Sequence, residues 1–334
     1  MALQTINVGS GINAGDGEPM RDAWVKAAAM FAEIYPVLFG GLAGSNFPGG
    51  AIPNSDLALM AAGTVKANLA GGAAAPSNVT LAALRNAIGA AMPRSYLAGL
   101  GTANNGSTSL DIASGACRAD SNDADMVLAS LLTKSLNSNW AVGSGNGGLD
   151  TGTKANSTWY YVWLILRTDT GVVDALFSTS KTSPTMPTSY DKKRLIGMCK
   201  TDGSGNVLGF TQFGDYFWWN SPATDVSTTS TTTSADATLG SVPPIAGVHA
   251  ILRIYAYTSG TGTALWVRSK FMTDAAVSLA VNANLYSPVV GDGVPNEIML
   301  PVNASAQVAH RAAATTTSTT IHTRGFIFRR GRDD

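Results

Sequence analysis

At 334 residues the chain is long enough for two domains, or for one large β domain with an appendage, and it can bury a sizeable core. Only 13% of its residues are charged, and 22 Lys+Arg balance 22 Asp+Glu, which excludes an overall field able to gather nucleic acid or an acidic membrane surface. Solubility falls to Thr, Ser, Asn and Gly, and 36 glycines with long Thr/Ser runs suit many short strands joined by polar turns. Cys117 and Cys199 are too few for a metal cluster or a disulfide framework and read as two buried thiols.

The N-terminal MALQTINV lacks the basic and long apolar regions of a signal peptide. The apolar run from Ala27 to Ala43 is broken by Glu33, Pro36 and paired glycines, short of the ~20 apolar residues a membrane span needs. These features predict synthesis in the cytoplasm without membrane insertion.

Residues 1–35 form the first region. An apolar INV is followed by Gly9, Gly11, Gly15 and Gly17 and then by a helical pattern from Pro19 to about Tyr35. A dinucleotide fingerprint fails on context: the spacing is wrong, and a Gly/Ala-rich segment follows where a second parallel strand should stand. Gly15 and Gly17 therefore read as the turn that sets Pro19 and the helix. Ala23, Ala27, Met30 and Ile34 make one apolar stripe, and Trp24, Ala28, Phe31 and Tyr35 a second beside it. An isolated helix of this length is marginal in water, so the stripes require a partner.

Residues 36–94 are rich in Gly, Ala, Pro and Asn and read as a connecting stalk. The spacing predicts one short helix there, from Leu81 to Met92, capped by Thr80. Residues 95–334 carry strand signals: β-branched and aromatic runs at 158–169, 172–180, 193–202, 206–219, 247–259, 263–271 and 325–332, bounded by turns at Asp169–Gly171, Asp202–Asn206 and Ser259–Gly262. The predicted fold is mainly β, a C-terminal antiparallel β-sandwich or jelly roll preceded by an amphipathic helix and the stalk. The Thr/Ser tract at 224–238 reads as a long exposed loop, with an edge strand as the alternative.

Chemistry is sparsely provided. Three glutamates (Glu18, Glu33, Glu297) and three histidines (His249, His310, His322) show no metal-ligand or triad-like spacing, so neither a cofactor nor catalysis is expected. A pair of aspartates could still serve a polysaccharide-degrading enzyme. Asp120, Asn122, Asp123 and Asp125 read as a solvated acidic turn, lacking the Gly and distant Glu of an EF-hand. Arg324, Arg329, Arg330 and Arg332 read as a solvated or interfacial strand end. Aromatic residues cluster at Tyr216, Trp218, Trp219 and Tyr257. In a strand one of Trp218 and Trp219 must face the core and the other outward, to meet a sugar ring or seal an interface.

The stretch INVGSGINAGDGEPMRDAWVKAAAMFAEIY resembles the N-terminal segment of fibre and spike proteins of tailed-bacteriophage virions. GTVKANLAGGAAAPSNVTLAAL is similar to a linker unit of phage tail fibres, mapping onto Gly63–Leu69 and Ala75–Leu84. The block from Leu149 to Trp219 looks like a C-terminal domain common in phage, prophage and gene-transfer-agent fibre proteins. The resemblance implies a virion-surface protein of head or tail, commonly a homotrimer, assembled in the host cytoplasm and attached by its N-terminus. Gly15, Asp16, Gly17, Pro19, Arg21, Trp24, Phe31 and Tyr35 are then the attachment and oligomerisation residues. The β domain would present Tyr216, Trp218, Trp219 and Tyr257 to host-surface polysaccharide. The alternatives are a structural joint or decoration protein holding another fibre, and a depolymerase.

Overall fold

The computed structural model describes residues 7, 10, 15, 17, 19–38, 61–74, 76–88, 91–259, 262–287, 293–316 and 318–332. It divides into two units, Met1–Ala90 and Ala91–Asp334. The first unit holds helix α1 (Met20–Leu38), strands β1 (Thr64–Ala67) and β2 (Ser77–Thr80), and helix α2 (Leu81–Ala87). Helix α1 starts where the Pro19 carbonyl accepts the amides of Asp22 and Ala23, and it runs three residues beyond Tyr35. The stalk segment contains a hairpin that composition did not announce, β1 pairing antiparallel with β2. Thr80 caps α2 as expected, its hydroxyl accepting the Ala83 amide at 3.1 Å, but α2 ends at Ala87 instead of Met92.

The second unit is mainly β and sandwich-like. In chain order its strands are β3 (Leu97–Gly99), β4 (Thr102–Asn105), β5 (Ser109–Ile112), β6 (Gly115–Arg118), β7 (Asp125–Leu128), β8 (Leu132–Asn139) and β9 (Asn146–Leu149). Then come β10 (Trp159–Leu166), β11 (Val173–Ser178), β12 (Lys192–Lys200), β13 (Phe210–Phe213), β14 (Tyr216–Thr228), β15 (Ala235–Thr238) and β16 (His249–Tyr257). The chain closes with β17 (Thr263–Ser269), β18 (Leu285–Ser287), β19 (Val294–Pro301), β20 (Gln307–Ala312) and β21 (Ser318–Ile327). Among the described residues they form a seven-stranded sheet (β12-β10-β11-β9-β8-β5-β4), a five-stranded sheet (β13-β14-β21-β16-β19), a four-stranded sheet (β15-β20-β17-β18) and a three-stranded sheet (β3-β6-β7).

The core is continuous through this unit. WYYVWLIL of β10 is buried at nearly every position, as a central strand covered on both faces must be. Between the seven- and five-stranded sheets lies an aromatic cluster: Trp159 meets Trp219 and Phe326 at 6.0 and 5.8 Å, and Phe217 stacks on Phe326 at 5.0 Å. Both thiols are buried and unpaired, and burial pushes Cys117 up to about 12 and Cys199 higher than its ordinary value.

In the Thr/Ser tract the edge-strand alternative holds over the loop reading. Residues 224–228 extend β14 past the end of β13 and pair with β21 alone, and 235–238 form an edge strand on β20, leaving only the residues between them as loop. The last strand begins at Ser318 and ends at Ile327, because Thr319, Ile321 and Thr323 alternate inward and the β-branched threonines fit a pleated, half-buried surface.

The sheets are not wholly antiparallel. β9 runs parallel to both β8 and β11, although only six residues, 140–145, separate β8 from β9. A parallel return normally takes a crossover of a dozen or more residues. Here a buried ion pair holds the tight return: Lys134 Nζ lies 2.9 Å from Asp174 Oδ1, both side chains essentially unexposed. The ammonium also donates to the loop carbonyls of Ala141 and Gly143 at 2.6 and 3.0 Å, and Asp174 Oδ2 accepts the Gly143 amide at 2.8 Å. Trp140 closes the site, its indole N–H donating to the Ala175 carbonyl at 3.1 Å and its ring lying 5.3 Å from Lys134 Nζ.

His310 is the buried histidine of this unit, 4% exposed, with Nδ1 2.7 Å from the Ser230 hydroxyl. Burial lowers its pKa, against the opposing pull of Asp236. A folded pKa below the unfolded value near 6.5 means that the unfolded chain takes up the proton first, so stability falls as pH drops through and below about 6.5. Thermal unfolding at pH 7.5 and pH 5 is expected to show a lower melting temperature in acid, and His310→Asn should shrink that difference. An unchanged difference in the variant would assign it elsewhere.

Candidate functional site on the outer face of the five-stranded sheet

Residues directly opposite across antiparallel strands share a face, so register defines the site. One cross-strand row reads Phe213, Tyr216, Ile327, His249, Pro301, and the next reads Thr211, Trp218, Gly325, Ile251, Met299. Their neighbours Phe217, Phe326 and Ala250 point the other way, into the core. The outer rows are open except at the middle of the second, where Gly325 and Ile251 are buried: Phe213 is 68% exposed, Met299 48% and Tyr216 44%, with Trp218 and Ile327 half-buried. Gly325 is required at the centre, because a Cβ there would collide with the Phe217 main-chain carbonyl, which cannot move aside. The result is a shallow aromatic and apolar surface on rigid strands, with His249 and Thr211 as polar points.

Of the four aromatic residues singled out from sequence, the structure brings Tyr216 and Trp218 together on this face. Tyr257 is on the same face but opposite Ser318, at the far end of β21 from Ile327, roughly 30 Å away at ~3.3 Å per residue. Trp219 is not a surface contact: it is 8% exposed, its indole donates to the Ser241 carbonyl at 3.0 Å, and its ring joins the aromatic core. Trp218 is thus the outward member of the pair and Trp219 the inward one. Phe213, His249, Ile327 and Met299 escaped sequence reading, because only register places these sequence-distant residues beside Tyr216 and Trp218.

The residues assigned to attachment lie in the other unit. Gly15 holds a positive φ of 71°, the left-handed conformation that glycine tolerates best, and Gly17 and Pro19 are exposed before α1. Asp16 lies outside the described residues, as does the side chain of Tyr35, whose backbone belongs to α1. Arg21 is exposed, and the second stripe stands open, with Trp24 69% and Phe31 71% exposed. Ala23, Ala27 and Met30 of the first stripe are half-buried. No described helix is long and apolar enough to cross a membrane.

The acidic turn is explained by cations. Asp125 pairs with Arg118 at 2.8 Å, Asp123 with Lys192 at 2.6 Å and Asp120 with Lys193. Among the described residues no group of three His, Cys, Asp or Glu side chains is placed to hold a metal. Asp123, Asp169, Asp191 and Asp202 all sit below the usual carboxylate range. Lys192 holds down Asp123, Arg167 holds down Asp169, and the amides of Asn206 and Ser204 hold down Asp202. A glycosidic general acid needs the opposite displacement.

Of the arginines read as a solvated or interfacial strand end, Arg329 is exposed but Arg330 is not. Arg330 is 5% exposed, 3.4 Å from Asp215, and donates to the Gly99 carbonyl at 2.9 Å, while Arg332 pairs with the same aspartate. These two arginines staple the segment after β21 to the β13–β14 turn and to the end of β3. Arg324 pairs with Glu297 at 2.8 Å across the sheet.

No family model matches the chain, and no curated protein matches its sequence. Among solved structures it is similar to one titled "Structure of infectious bursal disease virus Gx strain", at 12% identity over 69% of this chain and 67% of that chain, with a TM-score of 0.14. At that TM-score the likeness carries no argument about fold or function.

Proposed function

We propose that the chain is a non-enzymatic fibre or spike subunit of a tailed-phage-like virion. Its N-terminal helix joins it to the particle and to sister chains, and its β unit binds host-surface polysaccharide. The observation that carries the binding reading is the pair of cross-strand rows around Tyr216 and Trp218, a flat aromatic surface suited to the apolar faces of sugar rings. The sequence resemblance to phage fibres and the exposed Trp24–Phe31 stripe support the virion reading. Weak individual sites suffice, because repeated copies on one particle raise the effective concentration. A homotrimer fits both the resemblance and the need to cover α1.

Tyr216→Ala combined with Trp218→Ala is expected to lower binding of the labelled chain to host cells by about tenfold per site, and by more when several copies act together. Folding should be retained, since neither side chain belongs to the core. Undiminished binding by the folded double variant would remove this face from the account. A second reading follows from Phe213, which is more exposed than either: the same face could seal against another virion protein, as in a structural joint. Tight binding to a particle component and none to cells would select that reading.

A further inference from the structure

Two clefts adjoin the candidate face, one of about 250 Å³ and one of about 630 Å³, sharing Lys181, Thr182, Leu195 and Gly331 along their common wall. The larger reaches His249, Met299 and Ile327, which are members of the outer rows, so groove and aromatic face are continuous. The larger cleft falls in the range of small-ligand sites, and the smaller one extends it. Charge is unevenly spread here: Arg94, Lys181, Arg194 and Arg329 line the groove in a chain whose formal net charge is zero. One carboxylate, Asp120, lines the smaller cleft, and it is paired with Lys193, which does not line it. Lys181 is exposed and donates to the Pro244 carbonyl at 2.7 Å, a neutral acceptor that orients the ammonium and leaves its charge in place. Arg194 is held by the Gly331 carbonyl at 2.6 Å, so the groove's inner cation is fixed in position. Arg94 is exposed at the other end.

We infer that the ligand of this groove is an acidic polysaccharide, a chain of sugars bearing carboxylates such as uronic acids. This rests on the polysaccharide-binding reading and specifies its chemical class. Carboxylates would meet the guanidinium of Arg94 and the ammonium of Lys181, charge-assisted contacts of the kind that give strong and directional recognition. The apolar ring faces would lie on Ile327, Met299 and the aromatic rows. A neutral glycan would cover these cations while offering no counter-charge, a penalty that discriminates against it.

The test uses the full chain, fluorescently labelled, on three samples of host cells. One is untreated, one has its surface carboxylates converted to neutral amides with carbodiimide and ethanolamine, and one is stripped of surface polysaccharide. Binding to untreated cells that falls at least tenfold on amidation, vanishes on stripping and weakens with added salt is the expected result. Arg94→Gln with Lys181→Gln, both exposed positions, should lower binding to untreated cells by at least tenfold. Equal binding to untreated and amidated cells, with loss on stripping, would overturn the acidic class and leave polysaccharide binding intact. Undiminished binding by the double variant would likewise overturn the groove assignment. No binding of the folded chain to untreated cells would overturn the reading beneath it as well.

Discussion

Asp174→Asn lowers the unfolding free energy of the β unit by about 3–5 kcal/mol, the cost of leaving a buried charge without its partner. The Lys134 ammonium is sealed from water, so losing the carboxylate strands it beside two carbonyls and an aromatic ring. Burial already lowers the pKa of Lys134, and the Asp174 bond opposes that shift. Replacing both members by apolar residues is often nearly neutral in dry cores. Here it should not be: Lys134→Met with Asp174→Leu also removes the three hydrogen bonds that tie the loop at Ala141 and Gly143 to the strands, at about 1 kcal/mol for each. Denaturant unfolding of wild type and both variants decides the matter. A double variant as stable as wild type would show that the pair does not hold the six-residue parallel return.

On the proposed virion role, Trp24→Asp or Phe31→Asp is expected to abolish incorporation into particles while leaving the melting of the β unit unchanged. Both side chains stand open on α1, separated by seven residues and hence on one stripe of the helix, so neither substitution removes a contact within the described unit. A 19-residue helix has little stability in water by itself, so an exposed aromatic stripe on it marks what it must bury against a partner. Placing a carboxylate in the proposed interface would cost desolvation energy. Purified particles assayed for the chain give the answer, and normal incorporation would count against an attachment helix.

Local signals were readable where they are strong. The start of α1 after Gly17 and Pro19, the cap at Thr80, the apolar runs that became β10, β12 and β16, and the Asp202–Asn206 turn all follow from side-chain chemistry within a few residues. Strands β3 to β9 are mostly four residues long, too short to show a period, and β4, β8 and β9 are rich in Gly, Ser, Thr and Asn, which propensity does not mark as strand. The Thr-rich strands resemble loops in composition and differ only in alternation of burial, which requires a partner strand to exist. The site was half legible. Alternation predicted that Trp218 and Trp219 diverge, but which of them faces outward was settled by the packing of Phe217, Trp219 and Phe326 on Trp159. Tyr216, Trp218, His249, Ile251, Gly325 and Ile327 become one surface only through register between strands distant in the chain. Lys134 and Asp174 met for the same long-range reason.

The most direct measurement of the central claim is binding of the labelled full chain to intact host cells against cells enzymatically stripped of surface polysaccharide. Saturable binding lost on stripping is the predicted result. Equal binding to both, or binding to neither by a folded oligomer, would contradict a polysaccharide-binding fibre.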